Sequence, residues 1–335
     1  MTERGGVEAL RRTRSAAEKF VKLLRSSPPA ALAEPAASEG AGRGERRWSV
    51  LAERKRSPAD ALAMLATLSI DGSSPAELEP YLREDFERFL HTIELARGHS
   101  GACLEIGANP YFTSVLLREL CDFELTFTNS FSDDAPARAR QLVSYVNMSG
   151  SVSELEADYY CVNVETENQP FPDDSFDVVL FCEVIEHLVT DPFHALMEIH
   201  RVLKPGGTLI VSTPNVARAE NVARLIAGEN IYDPYSGHGR YGRHNREFTR
   251  HELFHFVQHC GFKVENHFTA DVHENGVELY AAAEKLDELL AHRSPDLGQY
   301  LFLSATKSDG FEVNLRPREL YRSLPENQLG SWVNN

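Results

Sequence analysis

The chain has 335 residues, 42% hydrophobic and 25% charged, which is the size of one large domain with appendages and the composition of an ordinary globular protein. No apolar run approaches the roughly 18 residues of a membrane span, and the basic start lacks the apolar core and cleavage site of a secretory signal, so a cytoplasmic protein with no membrane span is expected. Net charge is −16, yet residues 1–56 hold 13 Lys and Arg against 7 Asp and Glu, leaving −22 on the remainder; so acidic a body argues against a nucleic-acid substrate, whose binding rests on phosphate neutralisation.

Residues 1–56 read as a basic tail and linker. Leu10, Phe20, Val21 and Leu24 share one side of a potential short helix, which reads equally as an interaction helix and as a solvated tail. Residues 26–47 are rich in Pro, Ala, Gly and Ser with almost no large apolar residue, the composition of a disordered linker. Residues 57–98 read as a helical cap. Ser57 is a candidate N-cap with Pro58 at the first helical position, and the long segment from Pro75 stops at Gly98.

After Gly98 the hydrophobic period changes. Short apolar runs at 102–107, 124–129, 159–164, 177–182 and 208–213 alternate with helical segments such as TSVLLRELC and PFHALMEIHRVLKPGG, the latter closed by Gly206-Gly207. That alternation predicts βαβ units and a parallel sheet with helices on both faces. A further helix, TRHELFHFVQHCGF, ends at Gly261 and is followed by strands at 262–270 and 300–306. The α/β domain is expected over 99–310, with a C-terminal extension over 311–335. Cys103, Cys121, Cys161, Cys182 and Cys260 are odd in number and widely spaced, as expected of reduced thiols rather than a zinc site or disulfide framework.

Ligands of an open parallel sheet sit outside the carboxyl ends of its strands. There LEIGANPYFTSVLL runs from an apolar strand through an acid, Glu105, into a glycine turn at Gly107 and a helix start, where Asn109 tolerates unusual backbone angles. Beyond DVVLFC come Glu183, Glu186 and His187, which on a helix would share one face at i, i+3 and i+4. Two carboxylates and an imidazole so spaced suit a divalent cation, Mg²⁺ among others. They suit equally a helix start whose dipole favours the acids while the histidine packs or caps.

EIGAN (105–109), FPDDSFDVVLFCEVIEHL (171–188) and RVLKPGGTLIVSTPN (201–215) resemble the class I S-adenosylmethionine-dependent methyltransferases of the type 11/12 kind. The resemblance implies a Rossmann-like seven-stranded methyltransferase sheet and a donor site using Glu105, Gly107, Asn109, Asn129, Asn163, Val164 and Cys182. It departs from the family where Ala108-Asn109-Pro110 replaces further glycines and where Asn129 stands for the acid that usually holds the ribose. The E-x-x-E-H element, with His244 downstream just before Glu247-Phe248-Thr249-Arg250, resembles that of metal-dependent small-RNA 2′-O-methyltransferases. Its E-x-x-E-H part also resembles the ubiquinone-pathway O-methyltransferases. By that resemblance Glu183, Glu186, His187 and His244 are metal ligands, and Glu183, His187 and His244 serve catalysis.

In the same loop Arg240, Arg243 and Arg246 are spaced either to clamp an anionic group or to neutralise an acidic surface, and Tyr232, Tyr235 and Tyr241 either to stack on a ring or to pack. The expectation is an S-adenosylmethionine-dependent O-methyltransferase assisted by a divalent cation, acting on a sugar, glycan or other vicinal-diol small molecule. The alternatives are a metal-independent enzyme with His187 as base, and a non-catalytic partner protein of the same fold.

Overall fold

The computed structural model describes residues 48–130, 136–280, 290–312 and 315–332. The helix expected in residues 1–25 and the linker over 26–47 lie outside them. Helix α1 (Ser49–Glu53) leads into α2 (Pro58–Leu65), which begins as expected with Pro58 at its first position. The Ser57 hydroxyl accepts from the Asp60 amide while Asp60 reaches back to the Ser57 amide, a capping box that satisfies two otherwise unpaired donors. The long α3 (Pro75–Ala96) follows a two-residue strand β1 (Ser69–Ile70).

Next come β2 (Ser100–Ile106), α4 (Phe112–Leu120), β3 (Asp122–Asn129), β4 (Arg138–Val146), β5 (Val152–Cys161) and β6 (Phe176–Cys182). The chain continues through α5 (Pro192–Val202), β7 (Leu203–Pro214), α6 (Ala219–Ala227), α7 (Arg250–His259), β8 (Phe262–Ala270) and β9 (Tyr300–Lys307). Among the described residues these strands form one nine-stranded sheet in the order β1-β4-β5-β3-β2-β6-β7-β9-β8. The seven expected strands are all in it. The two extra ones, β1 and β4, extend the β5 edge antiparallel.

Strands β3, β2, β6 and β7 are mutually parallel, and both faces are covered, so their residues are apolar without alternation. Along β6, Val178 and Leu180 enter one core with Leu90, Ile93, Phe112 and Leu116 of α3 and α4. Val179 and Phe181 enter the other with Leu196, Ile199, Leu253 and Phe256 of α5 and α7. Helix α5 ends at Val202, not at the glycine pair. Leu203 already pairs with Phe176, and Lys204–Gly207 cross the register shift between Phe176 and Val178. A Cβ on Gly207 would lie 2.8 Å from the Lys204 carbonyl oxygen, so the pair serves a bulge inside a strand rather than a helix stop.

The chain leaves β2 for β3 on one side and returns to β6 on the other. This reversal opens a crevice at the carboxyl ends of β2 and β6, where the chain carries Gly107 and Glu183. No helix among the described residues is long and apolar enough to cross a membrane.

Candidate active site

Gly107 donates to the Thr128 carbonyl across β2 and β3 (2.8 Å) and has φ +77°. A Cβ there would meet Val184 Cγ2 at 2.6 Å. Glycine is thus demanded both by a left-handed backbone and by the close approach of the β6 turn. Beside it opens a cavity of ≈ 180 Å³ walled by Gly107, Thr128, Asn129, Val162, Asn163, Val164, Glu183, Val184, His187, Leu188 and Tyr241. Its walls are mostly apolar, and the buried Thr128 Oγ1 behind them has no hydrogen-bond partner.

Of the residues expected to hold the donor, Gly107, Asn129, Asn163 and Val164 line this cavity, whereas Glu105, Asn109 and Cys182 do not. The Glu105 carboxylate is buried behind the strand, where it accepts from Ser114 of α4 at 2.5 Å. Burial pushes its pKa up to about 7, against the lowering effect of that bond. Asn109 spends its side-chain amide on Gln141, and Cys182 is packed against β7 with Sγ 4.0 Å from the Ile210 oxygen. Asn129 is already engaged: its amide donates to Tyr111 Oη (3.2 Å) and its oxygen accepts from the Asn109 backbone (3.3 Å). Asn163 donates to Tyr241 Oη at 3.1 Å, tying the loop that carries His244 to the rim of the cavity.

The E-x-x-E-H element does not start a helix. Glu183 has φ +54° and only a single 3-10 turn follows, Ile185–His187, so the three side chains do not share a helix face. Glu186, His187 and His244 nevertheless converge, each offering one ligand atom within 4.8 Å of the others. They meet because the loop is tied to the turn by its backbone. Asn245 and Arg246 amides donate to the Glu186 carbonyl (2.7 and 3.1 Å), and the Asn245 side chain donates to the His187 carbonyl (2.8 Å).

Glu186 is fully buried. Its Oε2 accepts from Thr213 Oγ1 (2.9 Å), while Oε1 has no hydrogen-bond partner and lies 3.9 Å from His187 Nε2. Burial, reinforced by the Glu183 charge, raises its pKa. An orphaned buried carboxylate oxygen costs roughly 1–3 kcal/mol, and a cation would remove that cost.

Each histidine has its Nδ1 occupied, His187 by the Arg243 carbonyl (3.0 Å) and His244 by Glu247 Oε1 (3.0 Å). That arrangement orients imidazoles whose other nitrogen ligates a metal. Burial and the neighbouring His244 lower the His187 pKa. Burial alone would lower that of His244, but the bond to Glu247 and the charges of Glu186 and Asp233 push it up to about 9. Glu247, which the sequence reading did not single out, is partly buried and pairs with Arg218 at 2.5 Å.

Glu183 stays outside this cluster. Its Oε1 accepts from Ser212 Oγ at 2.8 Å and lies 3.9 Å from Arg88 of α3. The loop arginines stack on aromatic rings instead of gathering at one point: Arg240 over Tyr241 (4.8 Å), Arg243 over Tyr235 (5.0 Å) and Arg246 over Phe248 (5.5 Å). Tyr232 and Tyr235 are exposed; only Tyr241 reaches the cavity.

Residues 104–211 match the family of methyltransferase domains. A probable S-adenosylmethionine-dependent methyltransferase of Mycolicibacterium smegmatis is 32% identical over 131 residues, which are 38% of this chain and 46% of that protein. A ubiquinone biosynthesis O-methyltransferase of Xanthomonas campestris is 36% identical over 97 residues, 26% of this chain and 40% of that protein. The chain thus spans less than half the length of these relatives. A solved S-adenosylmethionine-dependent methyltransferase of Thermotoga maritima is 18% identical, with a TM-score of 0.43, over 70% of this chain and 96% of that one.

Proposed function

We propose that this chain, which carries a class I S-adenosylmethionine-dependent methyltransferase domain over residues 104–211, moves the donor's methyl group to a hydroxyl oxygen of a small molecule or glycan with neighbouring hydroxyls, assisted by a divalent cation. The observation that carries the reading is the buried Glu186 carboxylate with one oxygen unpaired, converging with His244 and with His187, which lines the cavity.

The residues fit both groups. Val162, Val164 and Leu188 offer an apolar wall to a ring, and Gly107 and Asn163 line the same cavity. Glu186, His187 and His244 would hold the cation, a mixed oxygen and nitrogen set that suits Mg²⁺, Mn²⁺, Fe²⁺ or Zn²⁺. When bound, the cation supplies a Lewis acid that lowers the pKa of a coordinated hydroxyl. Glu247 and the Arg243 carbonyl hold the two imidazoles in orientation, and the Asn163–Tyr241 bond ties the loop to the rim of the cavity. The acidic body favours a small acceptor over RNA.

Labelled methyl transfer from S-adenosylmethionine tests this against catechols, sugars and RNA, after exhaustive EDTA treatment and with Mg²⁺ or Mn²⁺ restored. Transfer to a diol that is lost on stripping and regained with metal is the expected result. Undiminished turnover in the stripped chain removes the cation and leaves the neutral His187 as base, and transfer to RNA alone overturns the acceptor.

A further inference from the structure

Helix α3 lies outside the matched segment, yet it sends the most deeply buried cation among the described residues to the edge of the site. Arg88 is 3% exposed. Its Nε pairs with Asp85 at 2.9 Å, one terminal nitrogen donates to Tyr81 Oη at 2.5 Å, and the other faces Glu183 at 3.9 Å. The guanidinium is wedged among the rings of Phe89, Tyr81 and Tyr300 at 4.8, 5.7 and 5.8 Å, and Tyr300 Oη donates to Asp85. An arginine so enclosed cannot follow a carboxylate that moves away, and it has no water to replace it.

Glu183 is held from two further directions. Its left-handed backbone is anchored by an amide bond to the Ser212 carbonyl (2.9 Å), and the Ser212 hydroxyl donates to its Oε1. A left-handed glutamate is costly and survives only where its surroundings demand it. These tethers hold Glu183 between α3 and β7, and it is not among the three residues, Glu186, His187 and His244, whose ligand atoms lie within 4.8 Å of one another.

We infer that the cation centre consists of Glu186, His187 and His244 only, and that Arg88 is a positioning residue that keeps Glu183 out of it. This rests on the cation reading above and departs from the four-residue set implied by the E-x-x-E-H resemblance. Glu183 then stands at the cavity wall as a hydrogen-bond acceptor for an incoming hydroxyl, and the coordination position that it would have taken stays open for an acceptor oxygen.

Mn²⁺ binding to the full chain tests this without knowledge of the acceptor, by calorimetry for affinity and by water-proton relaxation for the number of waters left on the ion. Glu183→Gln should bind Mn²⁺ within about three-fold of the wild type, while Glu186→Gln should lose roughly 100-fold. The double variant Arg88→Met with Asp85→Asn, neutral in the core, should free Glu183 to join the ion, with binding about ten-fold tighter and one water fewer, an effect a merely structural arginine would not produce. Loss of binding in Glu183→Gln equal to that in Glu186→Gln, or unchanged affinity and water count in a folded double variant, overturns the inference alone. Should the double variant not fold, the Glu183→Gln arm decides. No Mn²⁺ binding by the wild type overturns the cation reading and this inference together.

Discussion

Two pairs of histidines sit in this molecule under opposite rules. His187 and His244, at the carboxyl end of the sheet, are half-buried, each with Nδ1 bonded to a protein oxygen and the Glu186 carboxylate nearby. His200 and His267 are packed as rings in the body. His267 stacks on Phe254 (5.8 Å, 9° between planes), and neither of its nitrogens has a hydrogen-bond partner; His200 lies edge-on to Phe262 at 5.2 Å with Nε2 unpaired. Burial holds their pKa values down, to about 3 for His267 and about 4 for His200, whereas acidic neighbours hold His244 up. A histidine whose one nitrogen is oriented and whose other faces an unpaired carboxylate is built to bind. One shut among aromatic rings is built to fill space.

The sharpest way to break that contrast is substitution across it. His244→Ala should weaken Mn²⁺ binding roughly 100-fold by calorimetry, while the loop stays tied to the turn through Asn245. His267→Phe should leave Mn²⁺ affinity as in the wild type. Equal effects of the two would erase the distinction.

A smaller effect is expected from Glu247→Gln, which keeps the shape but removes the charge that orients His244. Mn²⁺ affinity should fall about 10-fold, with the loss greatest at high pH, because at low pH the variant's His244 gives up its proton more readily than the wild type's. An unchanged affinity would show that the Glu247 contact at 3.0 Å serves Arg218 and packing alone.

The smallest effect is on stability, and its sign differs between His267 and His244. His267 is neutral when folded and has a folded pKa below its unfolded value near 6.5, so its contribution is complete above 6.5 and fades as the pH falls toward its folded value. Between pH 7 and 5 that loss is roughly 2 kcal/mol, and His267→Phe should abolish it in urea unfolding of the cation-free chain. His244, raised to about 9, works the other way. Its contribution is present below about 6.5 and fades as the pH climbs through 9, so Glu247→Gln should flatten the alkaline side. Identical pH profiles for wild type and both variants would contradict the assignment.

The parallel core of the fold was readable because strands covered on both faces carry unbroken apolar runs, as in DVVLFC and TLIVST. Strand β4, RARQLVSYV, escaped notice because it lies near the sheet edge, where every second residue faces solvent and arginines are welcome. Lys204–Gly207 read as a helix stop because Pro and paired glycines serve bulges and caps alike. Within the site, the types and spacing of Glu183, Glu186 and His187 carried the cation expectation, and the resemblance added His244. The fate of Glu183 turned on its left-handed φ and on Arg88, 95 positions earlier, and neither leaves a mark in local spacing. Asn129 likewise looked free to accept from a ribose until the fold occupied it with Tyr111 and Asn109.

The most direct test is a crystal of the full chain grown with Mn²⁺ and S-adenosylhomocysteine, measured for the manganese anomalous signal. The account predicts one peak about 2.0–2.4 Å from Glu186, His187 and His244, with Glu183 still beside Arg88 and Ser212 and the donor product against Gly107. A peak ligated by Glu183, or none at the Glu186 carboxylate, would contradict it.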